Sequence, residues 1–161
     1  MREGGSVKCG RRNRSAAFTL VELVLVLAII AVLGAMVAPR YGEAMNRYRV
    51  ESAAKRIAAD FAFAQSRARA ASTSRTITFN AAGTYQIPNE NDLNTSATNY
   101  TVDLTTAPYY VGIGTINFAS ATAVTFNGFG VPDKGGYVQI QAGASSKTIS
   151  IDATTGVASV Q

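Results

Sequence analysis

The chain has 161 residues, with 15 Lys and Arg, 10 Asp and Glu, no His and no Trp, which gives a formal charge of +5. The absence of His excludes Ser-His-Asp triads, Cys-His pairs and HExxH zinc sites. The single cysteine, Cys9, excludes an internal disulfide, and the apolar fraction of 47% excludes a disordered tail. The residue inventory therefore removes several common catalytic and metal-binding sites.

The positive charge is concentrated at the N-terminus. Residues 1–17 carry five bases against one acid, a net +4, and residues 18–161 carry ten bases against nine acids, a net +1. Residues 72–161 alone carry three bases against five acids, a net −2. A basic chain can bind nucleic acid by neutralising phosphates, but here the excess is an N-terminal tag. The charge pattern therefore argues against a nucleic-acid partner.

An apolar run follows the basic tag and covers residues 18–38, with Glu22 as its one charge. A helix of this length rises about 31 Å, which matches the hydrocarbon thickness of a bilayer. The run is longer than the apolar part of a cleaved secretory signal. Because a basic flank stays on the cytoplasmic side, the sequence predicts one membrane-spanning helix with the remaining chain on the opposite side.

Glu22 does not fit a simple membrane anchor. Counted from Phe18, it lies about one and a half turns into the apolar run. A carboxylate at such a position costs about 2.5–3.5 kcal/mol to insert, and it commonly marks a partner or a function. The residue therefore indicates that this helix does more than hold the chain in the membrane.

The residues around the start of the run, Ala17–Leu23, resemble the processing site of type IV prepilins and type II secretion pseudopilins. The resemblance implies that a prepilin peptidase cuts between Ala17 and Phe18 and methylates the new N-terminal Phe18. It also implies that Glu22 pairs with the Phe18 ammonium of a neighbouring subunit during assembly. One departure is that the family prefers Gly before the cut, where this chain has Ala17.

Gly34 and Pro39 lie near the end of the run. Pro inside a helix removes one hydrogen bond and can kink it, so these residues fit an ordinary break beside the membrane. The resemblance implies the alternative that the helix melts locally here when it packs into a filament. Both interpretations of this predicted helix break stay open.

Helical patterning resumes after Pro39 and is expected to end at Ser72. One apolar stripe has alternating spacings of four and three residues, which predicts a face packed under a sheet. Charged residues on the other side predict a solvated face. The stripe consists of Val50, Ala54, Ile57, Phe61, Ala64, Ala68 and Ala71. The solvated face consists of Glu51, Lys55, Arg56, Asp60, Arg67 and Arg69.

Residues 72–161 read as short strands separated by turns, which predicts one or two antiparallel sheets over the helix. The fold class is therefore α+β: a long N-terminal helix and a β-rich head, as in type IV pilins. An oxygen-rich stretch at residues 90–94 lacks EF-hand spacing and is interpreted as a polar loop. The predicted strands are Arg75–Phe79, Thr84–Ile87, Tyr100–Leu104, Tyr109–Ile113, Ala123–Phe126, Tyr137–Gln141, Thr148–Ile151 and Val157–Val160.

The stretch from Phe126 to Val160 is similar to the head of the GspH and FimT group of minor pseudopilins and minor pilins. It contains a strand with a Phe-Asn-Gly turn, paired strands, and a Thr155-Gly156 turn into a last strand. Some members of this group bind DNA through a basic C-terminal tail that opens with Gly-Arg. Here Gly156 is followed by five residues without Lys or Arg, so DNA binding is a minor alternative.

The sequence thus predicts a basic leader (1–17, removed), a transmembrane and filament-core helix (18–38), an amphipathic continuation (39–71) and a periplasmic head (72–161). The expected function is that of a structural minor pseudopilin in type II secretion, held in the bacterial inner membrane before assembly. Such a subunit is not expected to be an enzyme or to hold a metal or another cofactor. Expected partners are other pilin-like subunits, prepilin peptidase, the assembly platform and the lipid bilayer. A minor pilin of a type IV pilus, a DNA-uptake module and an anchored protein that never assembles remain as alternatives.

Overall fold

A computed structural model describes residues 18–91 and 97–161, and the side chains of residues 36–39 are not part of that description. The chain divides into two compact units, with the boundary between Ala38 and Pro39. The predicted leader, which includes Ala17 and Cys9, lies outside the described residues. Its removal, and the division of the chain into the predicted segments, stay predictions.

The N-terminal element is the helix α1, Leu20–Ala71. Its helical backbone continues through Gly34 and Pro39, and the local melting expected there on filament packing stays a prediction. The helix ends where the sequence predicts. Ser72 adopts a left-handed backbone conformation with φ 51°, and its N–H donates to the carbonyl of Arg69 at 3.3 Å. A left-handed residue after the last turn is a common way to stop a helix.

Eight strands follow in the described part of the head, and they form two antiparallel sheets of four strands each. The first sheet has the order β3-β2-β1-β5 and the second has the order β4-β6-β7-β8. The chain therefore has the α+β, pilin-like architecture that the sequence predicts. The strands are β1 (Arg75–Asn80), β2 (Thr84–Ile87), β3 (Tyr100–Asp103), β4 (Gly112–Asn117), β5 (Ala123–Phe126), β6 (Gly136–Ala142), β7 (Ser145–Ile151) and β8 (Ala158–Val160).

The fourth strand was predicted at Tyr109–Ile113, and this register is wrong. The N–H groups of Tyr109 and Tyr110 both donate to the carbonyl of Thr106, at 3.0 and 3.1 Å. These bonds form a turn, and Tyr110 has a φ of 50° that no strand residue adopts. The strand therefore begins only at Gly112, and a register shift between Ile113 and Ile116 bends it against β6.

The core lies between one face of α1 and the inner faces of both sheets. The predicted stripe is buried from Val50 to Ala68, and Ala53 joins it. Ala71, the last predicted member, is exposed because the helix ends there. Phe61 is the central ring: its centroid lies 5.7 Å from that of Phe79 and 6.2 Å from that of Phe118. The members are Val50, Ala53, Ala54, Ile57, Phe61, Ala64 and Ala68 on the helix.

Asp60 was predicted on the solvated face of the helix, and this is wrong because two strands cover it. Its carboxylate accepts hydrogen bonds from the hydroxyl of Tyr85 at 2.5 Å and from the hydroxyl of Tyr100 at 2.9 Å. Arg56 donates to the same carboxylate from Nε at 3.1 Å and also donates to the Tyr100 hydroxyl. We call these four residues the Asp60 network. It ties the helix to β2 and β3, the outer half of the first sheet.

Glu90 has a similar structural role in the predicted polar loop. Its carboxylate is buried and binds the guanidinium Nε atoms of Arg75 at 2.6 Å and Arg67 at 3.1 Å. The group therefore joins the helix, the start of β1 and the loop after β2. Residues 92–94, the rest of the oxygen-rich stretch, lie outside the described residues. Because two arginines already neutralise Glu90, its carboxylate is a structural group and not a free cation ligand.

Candidate functional site

The first turn of α1 carries the residues of the predicted processing and assembly motif. The backbone N–H of Glu22 donates to the side-chain oxygen of Thr19 at 3.2 Å, and the N–H of Leu23 donates to the carbonyl of Thr19 at 3.1 Å. Thr19 is therefore the N-cap, and Glu22 occupies the third helical position. Counted from the observed start of the helix at Leu20, Glu22 lies in the first turn, whereas the predicted depth of about one and a half turns was counted along the apolar run from Phe18.

Thr19 is a functional candidate that the sequence reasoning missed. The signal was present, since Thr-x-x-Glu followed by an apolar run is the pattern of a capping box. Glu22 also lies at the positive end of the helix dipole, where a carboxylate is favourable by about 0.3–1 kcal/mol. Thr19 and Glu22 can thus serve to start the helix within one chain. This is an alternative to the predicted pairing of Glu22 with Phe18 of a neighbouring subunit.

The apolar segment of the first unit has no cover of its own. Phe18 is 75% exposed, and the large apolar side chains between Leu20 and Leu33 are 43–78% exposed. Among the described residues, α1 is the one helix long and apolar enough to cross a membrane, judged by length and composition. Such a surface is far larger than the apolar patches that soluble monomers expose, so another apolar phase must cover it.

The predicted site residues occupy distinct places along the helix. Phe18 and Glu22 lie together at its N-terminal end, whereas Gly34 and Pro39 lie more than three turns further along. Ala17, on the other side of the predicted cut, falls outside the described residues. Phe18, the residue after the predicted cut, therefore lies close to Glu22 in the chain. The predicted helix break at Gly34 and Pro39 is a separate feature.

At the other end of α1, one glutamine holds two turns of the head. The side-chain amide of Gln65 donates to the carbonyls of Gly130 and Thr155, each at 2.8 Å. Gly130 and Gly156 have φ values of +76° and +70°, in the region that favours glycine. We call these two hydrogen bonds of Gln65 the Gln65 clamp. A Cβ at Gly156 would lie 2.6 Å from the Gln65 amide nitrogen, so the clamp favours glycine at that position.

The Phe-Asn-Gly turn itself is organised by Asn127. Its side-chain oxygen accepts the N–H groups of Phe129 and Val131, each at 3.0 Å, and its carbonyl accepts the N–H of Gly130 at 2.7 Å. This arrangement satisfies the turn's backbone donors without a partner strand. It also leaves the Phe129 ring 83% exposed.

Comparison with protein families gives two matches to this chain. The prokaryotic N-terminal methylation motif matches residues 12–38. The family described as type II transport protein GspH matches residues 53–155. The chain belongs to the GspH family. No curated protein and no solved structure matches the chain.

The GspH match is longer than the resemblance expected from Phe126 onward. It begins at Ala53, inside α1, and includes the Asp60 network, both sheets up to β7, and the Gln65 clamp. The chain is therefore a minor pilin or pseudopilin, with the pilin-like fold and the methylation motif of that class. The family is structural and not one of enzymes. In the described part of the chain, no group of three or more His, Cys, Asp or Glu could hold a metal ion.

Proposed function

We propose that this GspH-family protein is a minor pseudopilin of a type II secretion system, inserted in the inner membrane with its head in the periplasm. The observation that carries the proposal is the uncovered apolar helix behind a prepilin motif. Large side chains between Leu20 and Leu33 are at least 43% exposed, and the methylation motif covers the same segment. Lipid before assembly and neighbouring helices after it would each cover that surface.

Processing is proposed between Ala17 and Phe18, with methylation of the new Phe18 nitrogen by prepilin peptidase. The net +4 of residues 1–17 favours a cytoplasmic leader. Removal of the leader converts the amide nitrogen of Phe18 into an ammonium four residues before Glu22. Mass spectrometry of the N-terminus tests this step: we expect a methylated Phe18 in cells that contain the peptidase and an intact leader in cells that lack it.

Assembly is proposed to depend on a pair between the Glu22 carboxylate of one subunit and the Phe18 ammonium of the next. An unpaired charge of this kind costs about 2.5–3.5 kcal/mol in an apolar phase, so pairing favours one axial register between subunits by about 100-fold. The role of Thr19 as N-cap gives a competing explanation, in which Glu22 serves to start its own helix.

Three variants separate the two explanations. Glu22→Ala removes both the charge and any capping contribution, Glu22→Gln removes the charge and keeps a residue that suits a capping box, and Thr19→Ala removes the cap and keeps the charge. If pairing drives assembly, both Glu22 variants lose co-purification with the major subunit about 100-fold, and Thr19→Ala keeps it. If capping drives assembly, Thr19→Ala fails and Glu22→Gln succeeds.

Membrane insertion is the matched control for these variants. Each should float with membranes as the wild type does, because the apolar run is unchanged. Normal co-assembly of Glu22→Ala would contradict any assembly role for Glu22.

The alternative is that this protein is a minor pilin of a type IV pilus, because type IV prepilins and type II secretion pseudopilins resemble each other in this motif. Deletion of the gene decides between them. We expect loss of protein secretion with surface pili intact. Loss of pili with normal secretion would instead assign the chain to pilus biogenesis. Complementation with the wild-type gene and with Glu22→Gln controls both measurements.

DNA uptake is disfavoured by the charges of the head. Each of its three bases contacts an acid: Arg75 pairs with Glu90, Lys134 with Asp133, and Lys147 lies 3.6 Å from the Glu51 carboxylate. Lysines and arginines that already neutralise carboxylates contribute little to phosphate binding. Salt-sensitive DNA binding by the full chain would contradict this part of the proposal.

A further inference from the structure

A band of arginine and tyrosine follows the apolar segment directly on α1. Tyr41 and Tyr48 are 67% and 71% exposed, and Arg40 and Arg47 precede them. Within residues 18–91 and 97–161, neither Arg40 nor Arg47 has an acid within ion-pair distance. We call these four residues the Arg-Tyr band. Tyrosine has an apolar ring with a polar hydroxyl, and arginine has an apolar stem with a charged head, so both side chains suit a boundary between an apolar phase and water.

The spacing places the two Arg-Tyr pairs on one side of the helix. Seven residues are close to two full turns, so Arg47 and Tyr48 lie almost directly beyond Arg40 and Tyr41, by about 10 Å along the axis. Helical side chains lean toward the N-terminus of their helix. The side chains of the second pair therefore lean toward the first pair, in the direction of the apolar segment.

The uncharged stretch before the Arg-Tyr band is long enough to cross most of the hydrocarbon core of a bilayer. Residues 23–39 carry no charge, and a helix of that length rises about 26 Å, slightly less than a hydrocarbon core of about 30 Å. Arg40 is the first charge after this stretch, and a charged side chain is favoured at the edge of the core over its interior. This step rests on the proposed membrane insertion. It places Arg40 and Tyr41 at the boundary on the side of the head.

The head contacts the helix just beyond this point. The Arg49 guanidinium lies 5.0 Å from the centre of the Tyr110 ring, and a Cβ on Gly143, in the turn between β6 and β7, would lie 2.7 Å from the Asn46 side chain. The second pair of the band thus lies where the head begins. Residues 40–49 contain three arginines and one acid, Glu43, so this stretch has a net charge of +2. The head, residues 72–161, has a net charge of −2.

We propose that the Arg-Tyr band binds the anionic headgroups of the leaflet on the side of the head while the subunit is in the membrane. Tyrosine rings are favoured at the headgroup level, and each arginine near an anionic surface raises the ratio of contacting to free conformers about fivefold. The local +2 supplies the attraction that the acidic head lacks. The band thus adds a charge-dependent membrane contact at the end of the apolar segment before assembly.

The experiment uses the full chain in vesicles and exploits the absence of tryptophan. Tyr48→Trp introduces a sole fluorophore at the second pair. Tyr137→Trp is the matched control, because Tyr137 lies in β6 at the end away from the β6–β7 turn. Vesicles contain either phosphatidylcholine alone or phosphatidylcholine with about 30% anionic phosphatidylglycerol, each with a headgroup-attached quencher.

We expect headgroup quenching of the tryptophan at position 48, stronger in anionic vesicles, and none at position 137. Replacing Arg40 and Arg47 by Gln should remove the dependence on phosphatidylglycerol, and raised salt should do the same. Equal quenching in both lipids overturns the proposed binding of anionic headgroups, because the contact would then not depend on charge. No quenching at position 48 overturns the headgroup contact itself, in favour of a protein partner for the band.

Flotation separates this result from a failure of the proposed function. A chain that floats with the vesicles but shows no quenching at position 48 contradicts the headgroup contact alone. A chain that does not float contradicts the membrane insertion and the headgroup contact together.

Discussion

Replacing Asp60 tests whether the buried Asp60 network holds the head together. Asp60 is 6% exposed and accepts hydrogen bonds from Tyr85, Tyr100 and Arg56. Asp60→Ala leaves the buried Tyr85 hydroxyl and the half-buried Arg56 guanidinium without this partner. Removing one member of a fully buried ion pair costs about 3–5 kcal/mol, and hydrogen bonds to a charged group are worth about 1.5–3 kcal/mol each. Because solvent screens the partly exposed Arg56, we expect a loss of about 2–4 kcal/mol.

The protonation states support this estimate. Burial, and then the charge of Asp60, raises the pKa of Tyr85 well above its ordinary value, so its hydroxyl remains a donor. Burial lowers the pKa of Arg56, but the charge of Asp60 and the bond with Tyr100 raise it by more, so Arg56 stays charged. Both partners therefore keep their need for an acceptor when the carboxylate is removed.

Thermal unfolding of the full chain in detergent micelles, followed by circular dichroism, gives the measurement. A chain of this size loses about 2–4 °C in Tm per kcal/mol, so Asp60→Ala should lower Tm by about 4–16 °C. The matched control is Lys55→Ala, which breaks an exposed pair with Glu51 at 3.1 Å and should cost under about 1 kcal/mol.

A double variant refines the test. Asp60→Ala with Tyr85→Phe removes the orphaned hydroxyl, so it should lose less than the two single variants added together, with a coupling of about 0.5–3 kcal/mol. If Asp60→Ala unfolds at the same temperature as Lys55→Ala, the network does not stabilise the head and the reasoning is refuted.

Two further predictions concern the head. Gly156→Ala should destabilise the head by about 1–3 kcal/mol, because the residue has φ +70° and the new Cβ would contact Gln65. Gly112→Ala is the control in the same thermal unfolding measurement, because the space around Gly112 is open. Equal losses of stability in the two variants would contradict the Gln65 clamp. Burial, and then the charge of Asp60, raises the pKa of Tyr100 to about 12 from 10.0. The unfolded chain therefore releases this proton first, and stability should fall as the pH rises from about 10 to about 12. A pH series of Tm values should show a shallower fall for Tyr100→Phe, and an unchanged slope would contradict the assignment.

The helix and most of the strands could be predicted because their signals are local. The stripe from Val50 to Ala68 repeats with the helical period, and every member up to Ala68 is buried. β2 and β5 were predicted with their observed bounds, Thr84–Ile87 and Ala123–Phe126. In each of these segments the burial is set by one face of one element, so spacing alone identifies it.

Parts of the second sheet were missed because polar residues and glycines carry no strand pattern. β7 begins at Ser145, three residues before its predicted start, because pairing with residues 140–142 of β6 extends it. β4 includes Gly114 in its interior, where a glycine suggests a turn. Both extensions come from a partner strand and not from the segment itself.

The burial of Asp60 and Glu90 could not be predicted from their neighbours in sequence. The hydroxyl that binds Asp60 most closely belongs to Tyr85, 25 residues away, and the second belongs to Tyr100. A charge on a helix surface is usually solvated, and only the covering strands decide otherwise. Gln65 is a similar case, because its two acceptors lie 65 and 90 residues further along the chain.

The two units of the chain differ in how their apolar side chains are covered, and this difference bears on the direction of assembly. The second unit buries its own core, from Val50 to Ile151. The first unit leaves residues 18–35 exposed, so lipid or other subunits must cover them under the proposed function. Lipid tails are about as apolar as leucine, so moving this helix from membrane to filament yields little hydrophobic gain. The choice between the two phases then depends on polar groups, and Glu22 is the single charged residue of that segment. This is why the comparison of Glu22→Gln with Thr19→Ala decides more than any change among the surrounding leucines and valines.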